Sequence, residues 1–247
     1  YDVGRRAGID AVDNVARMLG LGEPTGIEIF EAPGQRSNPG IKMAQRGENW
    51  YEGDILQTSI GQLFNQFTPL QLANYFAAIA NRGKRMELTL VHEIRDYSQE
   101  NVVRAFEPRV AFDMAEYIPP EMFDPVIRGL VSASLDGTAI GTFGNYPVPV
   151  ASKTGTPQVT ADILNSTFLC FAPADDPQVA VAVVIERGGS GILAAPVAKS
   201  LLDAWFGFED VVAWNDSGPR RLQLERLAEI RALEEAAAQS APEDQDM

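Results

Sequence analysis

One histidine, one cysteine and no long apolar run leave this 247-residue sequence short of the residues on which many enzymes depend. With Cys170 alone, no intrachain disulfide and no cysteine-rich metal site can form, and the redox compartment is left open. With His92 alone, an ordinary zinc site would have to be nearly all carboxylate, which zinc seldom uses. A Ser-His-Asp triad would have to recruit that same His92, which lies in the strand pattern "LTLVHEIRD" and reads as a partly exposed strand residue. The longest apolar stretch, Val179 to Ile185, is far too short to span a membrane, and no signal-peptide pattern opens the chain. Basic charge is scarce too. Lys and Arg number 20 against 34 Asp and Glu, a formal net charge of -14, which argues against nucleic-acid or anionic-membrane binding through a broad basic face. Neither GxSxG nor GxxxxGK[ST] occurs; "RGGSG" at Arg187 to Gly191 has neither spacing and reads as a hairpin end.

What is present is a globular composition, 45% hydrophobic and 22% charged, enough for one large domain or a domain with a tail. Ile9, Val12, Ala16 and Leu19 recur at helical spacing, with Gly20 and Gly22 placed to stop the helix. Glycine and proline then recur so often that residues 22–54 are expected to be turns and short extended pieces. "TPLQLANYFAAIANRG" gives the clearest helix: Thr68 as N-cap, Pro69 first, Gln71 completing a capping box, Gly83 at the exit. "LTLVHEIRD" and Val102 to Phe106 predict a strand pair. In "DPVIRGLVSASLDG", Asp124 is the expected cap, with Val126, Ile127, Leu130 and Val131 inward and Gly137 at the end. "STFLCFA", "PADDP" and "QVAVAVVIE" predict a hairpin whose second strand is buried on both faces, and "AAPVAKSLLDAW" a closing helix. After about Asp216 the chain changes: "RRLQLERLAEIRALEEAAA" could be a helix, followed by an acidic, anchorless end expected to be disordered.

"VPVASKTGTPQV", residues 148–159, is the anomaly. A strand built only for packing avoids an unpaired lysine and an interior glycine, yet Lys153, Thr154, Gly155 and Thr156 follow one another. KTG is one of three signatures of active-site serine enzymes that handle penicillin, with SxxK and SDN. Alone it is a weak signal. Together with "NWYEGDILQTSIGQLFNQFTPLQLANYFAAIANRG", "SLDGTA", "FLCFAPADDPQVAVAVVIE" and "AAPVAKSLLDAW", in order, it resembles the later part of the transpeptidase domain of penicillin-binding proteins, most similar to the monofunctional class B type.

That resemblance implies an α+β fold of the penicillin-binding transpeptidase and serine β-lactamase kind: a mainly antiparallel sheet with helices on both faces, over residues 1–208. Residues 209–247 are then a C-terminal extension dispensable for chemistry. It implies a D,D-transpeptidase that crosslinks peptidoglycan stem peptides ending in D-Ala-D-Ala and is acylated by β-lactams. No cofactor or metal is implied, and no nucleic acid. Lys153 would attract the ligand carboxylate and bias proton transfer, Thr154 and Thr156 would donate hydroxyl hydrogen bonds, and Gly155 would let the ligand backbone approach. The backbone N–H of Thr156 would form half of an oxyanion hole. By the same resemblance the protein works outside the cytoplasmic membrane, anchored through an upstream segment, beside a membrane glycan polymerase.

Two of the three signatures are missing. Three positions before Lys42, Lys84, Lys153 and Lys199 stand Pro39, Asn81, Val150 and Pro196, so SxxK is absent. Ser134-Leu135-Asp136 has SxD form but lies where the family has a structural segment. "YDVGRRAGI" resembles the stretch that follows the family's second motif, so the chain is expected to be a C-terminal portion, inert alone, with the nucleophile on a preceding part of the same protein. A β-lactamase or D,D-carboxypeptidase, a penicillin sensor and an inactive structural homologue remain open alternatives.

Overall fold

The computed structural model describes residues 1–160 and 162–208; the expected C-terminal extension, 209–247, lies outside the described residues. Helix α1, Asp2–Met18, follows the predicted apolar spacing but is broken at Gly8, whose φ of 79° and ψ of 163° no helix allows. The region expected to be loop contains two short helices instead. Helix α2, Pro39–Arg46, starts on Asn38, whose Oδ1 accepts from Ile41 N, and stops at Gly47 with φ 67°. Helix α3, Glu52–Thr58, is opened by Asp54 accepting from Tyr51 N at 2.7 Å. Pro39 reads as a breaker in sequence, but it occupies the first helical turn, where the missing N–H costs nothing.

Helix α4, Pro69–Ala80, has the expected reciprocal cap: Gln71 N donates to Thr68 Oγ1 at 3.1 Å and Thr68 N to Gln71 Oε1 at 3.2 Å. Strand β1, Lys84–Met86, pairs with β4, Val110–Asp113; β2, Glu93–Arg95, pairs with β3, Val102–Ala105, which is the predicted pair in shortened form. His92 is exposed and precedes β2, its carbonyl accepting from Phe106 N. Helix α5, Phe123–Leu135, begins a residue before the expected cap. Asp124 therefore lies inside the first turn, where its carboxylate pairs with Arg82 at 2.9 Å, and Val126, expected inward, is exposed.

After the short α6, Ile140–Phe143, the chain enters a three-stranded antiparallel sheet ordered β5, Ala151–Gly155; β6, Ser166–Ala172; β7, Val179–Ile185. The hairpin was legible, but its burial was not. Every residue of β6 is buried, whereas β7 is only partly so. The order explains the reversal: β6 is flanked by strands on both sides, and β7 pairs on one side only among the described strands. Alternation along β6 sends Leu169 and Phe171 into a core with Phe76 of α4 and Ile127 and Leu130 of α5. Phe168, Cys170 and Ala172 join a second core with Phe143 of α6 and with Ala198 and Leu202 of α7, Ala195–Phe206. Helices thus cover both faces of a mainly antiparallel sheet, the expected α+β arrangement.

Candidate active site

β5 carries Lys153, Thr154 and Gly155, in register with Leu169, Phe168 and Thr167 of β6. Among the described strands it pairs with β6 alone, so its other edge is open. An open antiparallel edge can receive an extended peptide as a further strand. The strand is anchored at its start. Val150, Ala151 and Ser152 are buried, and Ser152 Oγ lies 2.7 Å from Ser134 Oγ at the end of α5. Ser134 therefore sits in a closed hydroxyl pair, with Leu135 beside it in the core, so the serine of the SxD triplet is turned into the fold while Asp136 is exposed.

Burial ends where the anomalous residues begin. Lys153 is exposed, with Nζ donating back to Thr154 O at 2.6 Å. Thr154 is half-buried, its Oγ1 3.4 Å from Thr138 Oγ1. Thr138 belongs to the "SLDGTA" segment, so α5 and its exit loop support the strand at two successive hydroxyls. From Val148 to Thr160 no side chain other than Lys153 is charged.

Gly155 has room to spare inside this chain: a Cβ built there would meet Thr167 Cβ at 3.4 Å and Cγ2 at 3.8 Å, ordinary contacts. Intrachain packing therefore does not account for the glycine. Thr156 is exposed, and its Oγ1 accepts from Gly191 N at 3.0 Å. Gly191 belongs to "RGGSG", which the sequence suggested was a hairpin end. It is instead the entry to a 3-10 turn, Gly191–Ala194, that leads into α7 and lies against the KTG strand. Sequence reasoning missed Gly191 and Thr138. A glycine-rich loop is an ordinary feature, and nothing local marked these residues as neighbours of residues 153–156.

Buried groups elsewhere are tuned by packing. Burial pushes the Cys170 thiol up to about 12, so it is an inert core residue. Burial, then Asp203, also raises the Tyr146 hydroxyl well above its usual range.

Comparison with known proteins gives this geometry a context. The Salmonella typhimurium (strain SL1344) peptidoglycan D,D-transpeptidase MrdA is 29% identical over 238 residues, covering 89% of this chain and 38% of that protein. The chain thus spans about two-fifths of the length of that relative. The imipenem acyl-enzyme complex of Mycobacterium tuberculosis penicillin-binding protein A superposes with a TM-score of 0.70 at 27% identity, over 83% of this chain and 44% of that one. A peptidoglycan synthase complex, described as coordinating polymerization and crosslinking, gives a TM-score of 0.70 at 29% identity over 82% of this chain and 34% of that one. Residues 1–203 match the family model described as the penicillin binding protein transpeptidase domain. With the KTG edge strand inside the matched residues, the chain belongs to the penicillin-binding protein transpeptidase family.

Proposed function

We propose that this chain is the KTG-bearing part of a peptidoglycan D,D-transpeptidase. The observation that carries the reading is the open edge of β5, with Lys153 and Thr156 exposed at the point where burial stops, in a chain of this family. A serine oxygen, on a part of the protein outside this sequence, attacks the carbonyl carbon joining the two D-alanines. The C–O ester bond forms, the C–N bond breaks, and D-alanine leaves with a proton on its nitrogen. The amine of a second stem peptide then attacks the ester, forming the crosslink and returning the proton and the serine oxygen. A β-lactam offers its strained amide to the same serine and stays attached.

The residues of this chain bind and polarise. Lys153 supplies positive charge for the ligand's carboxylate, and Thr154 and Thr156 offer hydroxyl donors, whose bonds to a charged acceptor are of the stronger kind. The N–H of Thr156 is one donor to the developing oxyanion. Two unit charges about 4 Å apart attract by about 1 kcal/mol in bulk water and about 4 kcal/mol near a protein surface. Lys153 is exposed on this single wall, so its charge gains strength only when an opposing wall excludes water. Without the serine nucleophile, the chain alone is inert in this reading.

The protein works on the outer side of the cytoplasmic membrane, held there by a segment beyond this sequence; among the described residues no helix is long and apolar enough to cross a membrane. The solved relative described as coordinating polymerization and crosslinking supports a glycan polymerase as partner. The test is fluorescent-penicillin labelling of the complete protein and of this chain. The complete protein takes the label at one serine and the chain takes none; a folded complete protein that stays unlabelled overturns the reading. Release of free penicilloate or tetrapeptide without crosslinks would place it among the hydrolases instead.

A further inference from the structure

Gly191 is the glycine whose missing Cβ makes room for the KTG strand. Its φ lies outside the left-handed range, so backbone conformation does not call for glycine. Space does. A Cβ built on Gly191 falls on the Gly155 carbonyl oxygen, well inside contact distance, and within 2.8 Å of both Gly155 C and Gly155 N. All three obstacles are backbone atoms of the KTG strand, which no side-chain rotation can clear. Gly191 is buried, and its own N–H donates to Thr156 Oγ1 at 3.0 Å. The end of the strand is therefore gripped from behind at two successive residues, by contact at Gly155 and by a hydrogen bond at Thr156.

The gripping loop is itself fixed to the chain that follows the KTG strand. Arg187 N donates to Asn165 Oδ1 at 2.9 Å and Gly189 N to Leu164 O at 3.1 Å. Asn165 N in turn donates to Pro157 O at 2.9 Å. Residues 187–191 thus form a brace connected to both ends of the segment that runs from Thr156 to Ser166. A hydroxyl has one proton to donate and two lone pairs to accept with. By filling one lone pair of Thr156, Gly191 N–H fixes the rotamer and leaves the hydroxyl proton available for a ligand carboxylate. By backing Gly155, it sets the position of the following peptide, whose N–H belongs to Thr156.

We infer that Gly191 is a positioning residue for acyl transfer, holding the Gly155–Thr156 peptide where its N–H meets the oxyanion. The inference rests on the transpeptidase reading above. The experiment uses the complete protein and measures benzylpenicillin acylation, separating initial binding from the first-order acylation step. For Gly191→Ala we expect the first-order step to fall by about 10- to 100-fold, since a misplacement of about 1 Å can cost that much. Gly47→Ala is the control. Gly47 closes α2 with φ 67° and has open space around it, so alanine there strains the backbone away from the brace and the strand, and acylation is expected to persist despite a lower Tm.

A folded Gly191→Ala protein that acylates at the native first-order rate overturns the inference, as does a Gly47→Ala protein that loses as much. Should Gly191→Ala not fold, Thr156→Val reads the same contact. Loss of the carboxylate contact alone weakens binding only, whereas loss of the Gly191 tether also slows the first-order step; an unchanged first-order step overturns the inference. A native protein that takes no label at all fails the functional reading rather than this one.

Discussion

At the scale of single residues, Lys153 is where packing and chemistry part company. Its strand neighbours Ala151 and Ser152 are fully buried, and the side chain that follows them is a solvated cation. Lys153→Ala should slow β-lactam acylation of the complete protein by on the order of 100-fold, the range seen when one preorganised electrostatic partner is removed. Stopped-flow acylation kinetics measure it, and an unchanged rate removes Lys153 from the mechanism. Lys153 and Gly155 were conspicuous in the sequence because they are wrong for a buried strand. Lys42 was not, since its segment reads as loop. It is buried, with Asp54 at 2.8 Å, Glu48 at 3.5 Å and the Tyr51 ring centroid at 4.5 Å. The Asp54 hydrogen bond raises the Lys42 pKa. Burial pushes the Asp54 carboxyl up, but the Lys42 hydrogen bond, Tyr51 N–H and the charges of Lys42 and Arg46 outweigh it and leave it below the ordinary carboxylate range. A depressed carboxylate stabilises fully above its unfolded pKa of about 3.9 and loses that contribution as pH falls through the folded value. The raised lysine contributes below its unfolded pKa of about 10.4 and loses the contribution as pH rises through the folded one. Lys42→Met should therefore lower the urea midpoint at neutral pH and make the acid-side decline in stability shallower. An acid limb as steep as the native one would show that the pair contributes nothing there.

At the scale of elements, local chemistry predicted what local chemistry holds. The capping box of α4 is fully written in "TPLQ", and the helix formed where it said. Gln71 does more than cap. It is fully buried, and its Nε2 also donates to Glu23 O at 2.7 Å and Pro33 O at 2.9 Å, fastening the long connection between α1 and α2 to the helix. Thr68→Ala should cost about 1 kcal/mol, the usual loss for an N-cap. Gln71→Ala should cost more, roughly 2 kcal/mol or above, because it leaves partly buried carbonyls without a donor. Urea unfolding ranks the two, and the reverse order would put the weight on the cap alone. The misses at this scale have one cause. Short α2 and α3, each capped locally, are joined by an ion pair between them, Lys42 with Asp54, and the burial of β6 over β7 depends on strand order. Neither is a property of any single window of sequence. Asp124 likewise looked like a cap because it precedes Pro125, but α5 starts at Phe123 and the carboxylate turns to Arg82 instead.

At the scale of the whole molecule, two cores share one sheet, and the second is completed by the last described residues. Phe206 and Phe208 pack on the core that holds Phe143, Tyr146 and Leu202, with the Phe208 ring centroid 5.9 Å from Tyr146 and 5.8 Å from Phe206. The family match ends at residue 203, before these aromatics. Two truncations of the complete protein separate what the fold needs from what the match covers. Ending the chain after Asp203 removes both rings and should lower stability by roughly 2 kcal/mol or more, since each aromatic pair adds about 0.5–1.5 kcal/mol beyond the area it buries. Ending it after Phe208 keeps both cores and every residue placed at the open edge of β5, so the rate of penicillin acylation should match that of the uncut protein. Thermal unfolding and acylation kinetics on the two products distinguish the cases. A loss of acylation on removing residues 209–247 alone would assign that acidic extension a part in the site, against the expectation that it takes none.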